Sequence, residues 1–135
     1  MSYGVSAALQ AAVYGQLVGD TALAALVGAH VYDAMPPGVL PSLYVSLGPE
    51  VVRDRSDKTG RGADHDFAVS VVTEADGFQA AKAVAGAVSD ALSDADLTLT
   101  RGRLVGLRFV SARARREEAG TIRRIELRFR ARVED

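Results

Sequence analysis

A chain of 135 residues, 48% hydrophobic and 24% charged, fits one globular domain and leaves no room for two ordinary ones. Sixteen basic and seventeen acidic residues give a net charge of -1, which excludes whole-molecule attraction to nucleic acid or an anionic membrane; a local patch would have to do it. The absence of cysteine removes disulfides, thiolate nucleophiles and zinc–thiolate sites together.

The chain begins Met-Ser-Tyr-Gly, with no basic stretch and no long apolar run behind it, so a cleaved signal is not expected. No run approaches the roughly 18–20 apolar residues that span a bilayer. Val5, Leu9, Val13 and Leu17 then recur every four residues, with Ala8 and Ala12 on the same face, which predicts a helix. Gly19-Asp20 breaks that pattern, and Asp20 is placed to cap a short second helix carrying Leu23, Leu26 and Val27, with Gly28 as its stop.

The stretch from Gly28 to Gly48 is a stiff elbow. Pro36, Pro37 and Pro41 remove three backbone donors and fix three φ angles, so no regular element is expected to run through it. Tyr32 is expected to pack on the sheet edge and Asp33 to accept from backbone donors of the turn. Beyond the prolines, Leu43-Tyr44-Val45-Ser46-Leu47 alternates like a half-buried strand, and Gly48-Pro49 is expected to end it.

Pro49 to Asp66 mixes charges of both signs, with Gly60 and Gly62 and few apolar side chains. Such a stretch cannot offset its own ordering entropy, roughly 1–2 kcal/mol per residue, so an exposed loop over about 50–66 is predicted. Phe67, Val69 and Val71 mark a second strand. Asp76 with Gln79 three residues on has capping-box spacing, and Phe78, Ala81, Val84, Ala85, Val88, Ala91 and Leu92 form the apolar stripe of a long helix. Leu97-Thr98-Leu99 is a short strand or an extended link. Val105, Leu107 and Phe109 alternate through a third main strand, and a charged turn over about 113–121 follows. In the last strand Ile125, Leu127, Phe129, Ala131 and Val133 alternate with Glu126, Arg128, Arg130 and Arg132. A one-residue slip would bury three arginines, which fixes its register.

The order α-α-β-β-α-β-β predicts a single α+β domain over residues 1–135: a mainly antiparallel four-stranded sheet with helices packed on one face.

Candidate chemistry is sparse. The histidines are His30 at the elbow and His65 within Asp64-His65-Asp66. That triplet offers ligand atoms, but neighbours along a strand point to opposite faces, and a solvated loop end is the preferred reading. Thr59-Gly60-Arg61-Gly62 has the glycines of a phosphate-cradling loop but neither its lysine nor a following helix, which favours a flexible tip. No serine is paired with a base in a nucleophile-elbow sequence. No catalytic, cofactor-binding or metal-ligating residue is therefore assigned. Arg123, Arg124, Arg128, Arg130 and Arg132, with Arg113, Arg115 and Arg116 before them, form a basic stripe. It can be a solvated or protein-facing surface, partly neutralised by Glu117, Glu118 and Glu126, or it can meet phosphates.

The ordered set of signatures resembles the tail-completion or tail-terminator proteins of long-tailed bacteriophages and gene transfer agents. An N-terminal helix leads to Gly19-Asp20-Thr21-Ala22-Leu23-Ala24-Ala25-Leu26-Val27 and the Val31-Tyr32-Asp33 turn. Pro41 to Gly48, a charged loop, the strand Phe67–Val72, the helix Gly77–Leu92 and two closing strands ending in Leu127-Arg128-Phe129-Arg130-Ala131 complete it. The resemblance implies a non-enzymatic particle protein, assembled in the bacterial cytoplasm, that needs no cofactor or membrane. It implies a sixfold homo-oligomeric ring that ends the tail tube, faces the head–tail connector and lets DNA pass without sequence-specific binding. A cyclic ring needs a heterologous interface. The candidate contacts are Arg53, Asp54, Arg55, Asp57, Lys58 and Arg61 in the first loop, Arg113, Arg115, Arg116 and Glu117 in the second, and Arg128, Arg130 and Arg132 on the last strand. The alternative is a small nucleic-acid-binding α+β module that uses Arg123–Arg132.

Overall fold

The computed structural model describes residues 3–135; Met1 and Ser2, the start of the Met-Ser-Tyr-Gly terminus, lie outside the described residues. A 3-10 turn over Tyr3–Val5 opens into helix α1 (Ser6–Val18), followed by α2 (Thr21–Val27), strands β1 (Val31–Tyr32), β2 (Leu43–Asp54) and β3 (Gly62–Thr73), helix α3 (Gln79–Leu92), and strands β4 (Arg103–Glu117) and β5 (Ile122–Glu134). The strands form a single five-stranded sheet in the order β1-β2-β3-β5-β4. The architecture is α+β, as expected. The sheet is mainly antiparallel, also as expected, but has five strands rather than four, because the short β1 adds a parallel pairing with β2 through Val31↔Val45 and Tyr32↔Ser46.

The helices pack on one face. Leu9, Val13 and Leu17 of α1, Leu23 and Val27 of α2, and Ala81, Val84, Val88 and Leu92 of α3 are buried against Val45, Val69, Val71, Ile125, Leu127 and Phe129 of the sheet. Phe129 is fully buried, stacked on Phe67 at 5.7 Å and edge-on to Phe109 at 6.0 Å. β5 has the register its alternation demands, with Phe129 opposite Phe67 on one side and Phe109 on the other.

Local signals account for several ends. The Asp20 carboxylate accepts from the Leu23 amide at 2.9 Å and caps α2, and Gly28 closes that helix at φ 59°, where a side chain would be strained. Gly102, at φ 72°, is tighter still: a Cβ there would lie 2.7 Å from the Glu134 carbonyl and 2.8 Å from Val5.

Other ends differ from expectation. β2 does not stop at Gly48-Pro49 but passes through it, with a register shift between Leu47 and Glu50. A bulge tolerates a proline that has no ladder hydrogen to give. The strands therefore take most of the stretch expected to be a loop over 50–66, and only residues 55–61 remain as its tip. Likewise Arg113–Glu117 belong to β4, leaving a turn at Glu118–Thr121. The capping box does not form: α3 starts at Gln79 behind Phe78, with no side-chain cap. Residues 97–99 are an extended link rather than a strand. Tyr32 does pack at the sheet edge, 6.0 Å from the Tyr44 ring, but Asp33 accepts from the Gln10 side chain rather than from backbone donors.

Candidate interaction faces

The pairing register sorts the charged residues onto two surfaces. Residues opposite the helices on β5 are Arg124, Glu126, Arg128, Arg130 and Arg132, and their β3 partners Val72, Ser70, Ala68, Asp66 and Asp64 share that face. Arg108, Arg113, Arg115 and Glu117 of β4 and Arg53 of β2 join them, with Arg55 just beyond the end of β2. With the Arg103–Glu134 pair at the end of the same ladder, the helix-free face holds ten arginines against five carboxylates, Asp64, Asp66, Glu117, Glu126 and Glu134. A chain of net charge -1 carries a local surplus of five positive charges there.

Two clusters hold this face in place. In the first, Arg130 makes two bonds to Asp66, at 2.7 and 2.9 Å, and Arg53 reaches the same carboxylate at 3.4 Å. Beside them Arg55 donates to Asp64 at 2.9 Å, and Arg132 lies 3.7 Å from Asp64. The Arg130 guanidinium holds the Asp66 carboxyl below its usual range, against a smaller opposing effect of burial. In the second, Glu117 accepts from Arg124 at 3.0 Å and Arg115 at 2.8 Å, and these bonds, Arg124 first, lower its pKa. Arg128 pairs with Glu126 at 2.9 Å.

The remaining candidates lie apart. At the tip, Asp54 accepts from the Ser56 hydroxyl at 2.6 Å and the Ser56 amide at 3.2 Å. Asp57 accepts from the Thr59 amide and hydroxyl and from the Gly60 amide, at 2.9, 3.0 and 2.9 Å. Both carboxyls are held below their usual range by these bonds, so the tip is an ordered turn built on aspartates. Lys58 and Arg61 are exposed on it, beside Arg101 and Asp135. Arg116 points the other way, to the helix side, opposite Arg123.

Asp64 and Asp66, read from the sequence as a solvated loop end, are the anions on which the first cluster is built. Their two-residue spacing matches that of Arg130 and Arg132, a signal usable only once β3 is known to start at Gly62. His65 between them points to the opposite face and is fully buried, with Nδ1 3.4 Å from Glu50, which also accepts from Ser6 at 2.7 Å. Among the described residues no three or more of His, Cys, Asp and Glu are grouped to hold a metal ion. No helix among them is long and apolar enough to cross a membrane.

The chain thus presents a braced cationic face, an ordered charged tip and the long edge strand β4. Residues 11–134 match the family described as Tail completion protein gp17. A chain in the solved structure titled "Virion of native gene transfer agent (GTA) particle" superposes with a TM-score of 0.95 at 66% sequence identity, covering 99% of this chain and 100% of that one. No curated protein matches.

Proposed function

This chain belongs to the tail completion protein gp17 family, and from that premise we propose that it forms a closed ring that ends the tail tube and joins it to the head connector. It is a structural protein of a phage-like tail, of the kind found in gene transfer agents, and not an enzyme. The observation that carries the reading is the match to a chain of an assembled particle over essentially the full length of both. The ring would be a sixfold homo-oligomer with the tube protein on one side and the connector on the other. It would be assembled in the bacterial cytoplasm, and DNA would pass through it without sequence-specific binding.

The surfaces described above suit that task. A ring repeats one contact between two different patches, so each subunit must present unlike edges. Here one sheet edge is the two-residue strand β1, next to α1, and the other is the long strand β4. The tip at 55–61 and the β4–β5 turn supply charged contacts to neighbours, tube or connector; Arg53, Arg55, Arg128, Arg130 and Arg132 brace the face between them. Removing the gene from a producing strain tests this: tails of uncontrolled length, or tails without heads, are expected. Normal filled particles would overturn it.

A second reading has one observation in its favour, the surplus of positive charge on the helix-free face. A module using Arg123–Arg132 on nucleic acid would bind with an affinity that falls steeply between low and moderate salt. Binding of that kind by the isolated chain would favour this reading over the ring.

A further inference from the structure

We propose that the groove between α3 and β4 receives the outward face of α1 and α2 from a neighbouring copy of this chain. The inference rests on the ring reading above and names the contact that would repeat around it.

The groove exists because β4 runs past the helix that should cover it. α3 lies over β3 and β5 and reaches only the inner part of β4, so Phe109, Ala112 and Ala114 are exposed on the helix side. Their facing wall on α3 is Lys82, Gly86 and Ser89, and a Cβ built on Gly86 meets nothing within 4 Å. The link after α3 engages the strand only at its start, where the Asp94 amide donates to the Leu107 carbonyl at 2.8 Å. Phe109 is 41% exposed, unusual for a ring that touches the centre of the core.

Three cations gather at one end of the groove. Lys82 lies 5.9 Å from the Phe78 ring, the Arg123 guanidinium lies 5.5 Å from the same ring, and Arg116 stands opposite Arg123 in the ladder. None of the three forms an ion pair among the described residues. Arg123 donates to the Ala75 carbonyl at 2.7 Å, yet its Nε is buried with no partner. Like charges gathered in this way repel, and a carboxylate brought to them relieves the cost.

The chain itself provides the complement. No lysine or arginine occurs before Arg53, and the charges in that third of the molecule are the carboxylates of Asp20, Asp33 and Glu50. The outward face of α1 presents Ala7, Ala11, Gly15 and Val18, and Leu26 of α2 is 45% exposed beside it. Small residues there allow a helix to approach closely, and Asp20 stands at the end of α1. One surface is therefore apolar, free of cations and ended by Asp20, the other is apolar with cations at one end, and matched potentials select this pairing over like with like. α1 and α2 lie over β1 and β2 while the groove lies at β4, at the far end of the sheet order. Such a contact is heterologous and propagates head to tail until it closes.

The native chain has no cysteine, which makes the test clean. Particles are produced with Ala11→Cys and Ala112→Cys in the same chain, and with each change alone, then treated with a short bis-maleimide. Both positions are exposed, so folding is spared. The double variant should give a ladder of linked subunits on a denaturing gel, and each single variant should stay monomeric. Linked dimers from Ala112→Cys alone would mean like edges meet and would overturn the proposal. No ladder from the double variant, with the chain still present in several copies per particle, would overturn this contact and leave the ring standing. A single copy per particle would overturn the ring and this contact together. As a second probe, Gly86→Leu fills the groove from a position with open space around it: it should keep the fold and lose assembly, whereas Gly86→Ala should keep both. Normal assembly of Gly86→Leu would contradict the proposal.

Discussion

Arg130 and Asp66 face each other across the β5–β3 ladder, 64 residues apart in the chain, and are joined by two parallel bonds of 2.7 and 2.9 Å. Paired forks of this kind add geometric specificity as well as energy. The pair stands at the middle of the cationic face and sets the position of Arg53 as well. The arginines of this face are therefore braced by the fold itself.

Replacing Asp66 by Asn should cost up to about 1.5–3 kcal/mol at neutral pH, the usual worth of hydrogen bonds to a charged group. The sign of the pH dependence follows from its lowered pKa. A carboxyl whose folded value lies below its unfolded value stabilises the fold above the unfolded value and stops doing so as pH falls through the folded one. Glu117 acts in the same direction. Wild type and Asp66→Asn should thus differ at pH 7 and converge below about pH 4 in urea titrations. A difference that stays constant to pH 2 would contradict the assignment.

Asp20→Ala removes the acceptor that caps α2, a helix of only seven residues. A loss of about 0.5–2 kcal/mol is expected in chemical denaturation, with α1 and the sheet retained. Asp20→Asn, which can still accept from the Leu23 amide, should recover most of it.

Phe129→Ala takes out a fully buried ring held between Phe67 and Phe109. About 3–5 kcal/mol should be lost. Phe109→Ala, at an exposed position, should cost less stability and more assembly if the α3–β4 groove is an interface. Equal effects of the two on stability would contradict that division.

The tip can be shortened without touching the ladder. Replacing residues 56–60 by a two-residue turn keeps β2 and β3 and should leave the thermal midpoint nearly unchanged. Completion of tails or joining of heads should fail. Particles that mature normally would remove the tip from the list of partner contacts.

Much of this was legible in the chain. The alternation of β5 was long enough to fix its register, and the stripe of α3 and the cap at Asp20 needed only local spacing. What local reading missed was held by distant partners. β1 is two residues long and exists because Val31 and Tyr32 meet β2; nothing in two residues announces a strand. Gly48-Pro49 carries the signals of a strand end, and a bulge absorbs them. Asp64 and Asp66 look like loop residues by composition, since Arg132 and Arg130, which pair with them from β5, lie more than sixty positions away. Arg116 was grouped with the arginines around it, and the parity of β4 turns it to the other face. Phe109 reads as one more apolar residue of an alternating strand, and only the reach of α3 shows that it borders a groove.

Whether this chain closes the tail as a ring is decided by imaging the head-proximal end of the tail in intact particles. A closed sixfold ring of this chain is expected between the last layer of the tube and the connector, with α1 of each copy against β4 of the next. Single copies, or a position elsewhere in the particle, would contradict it.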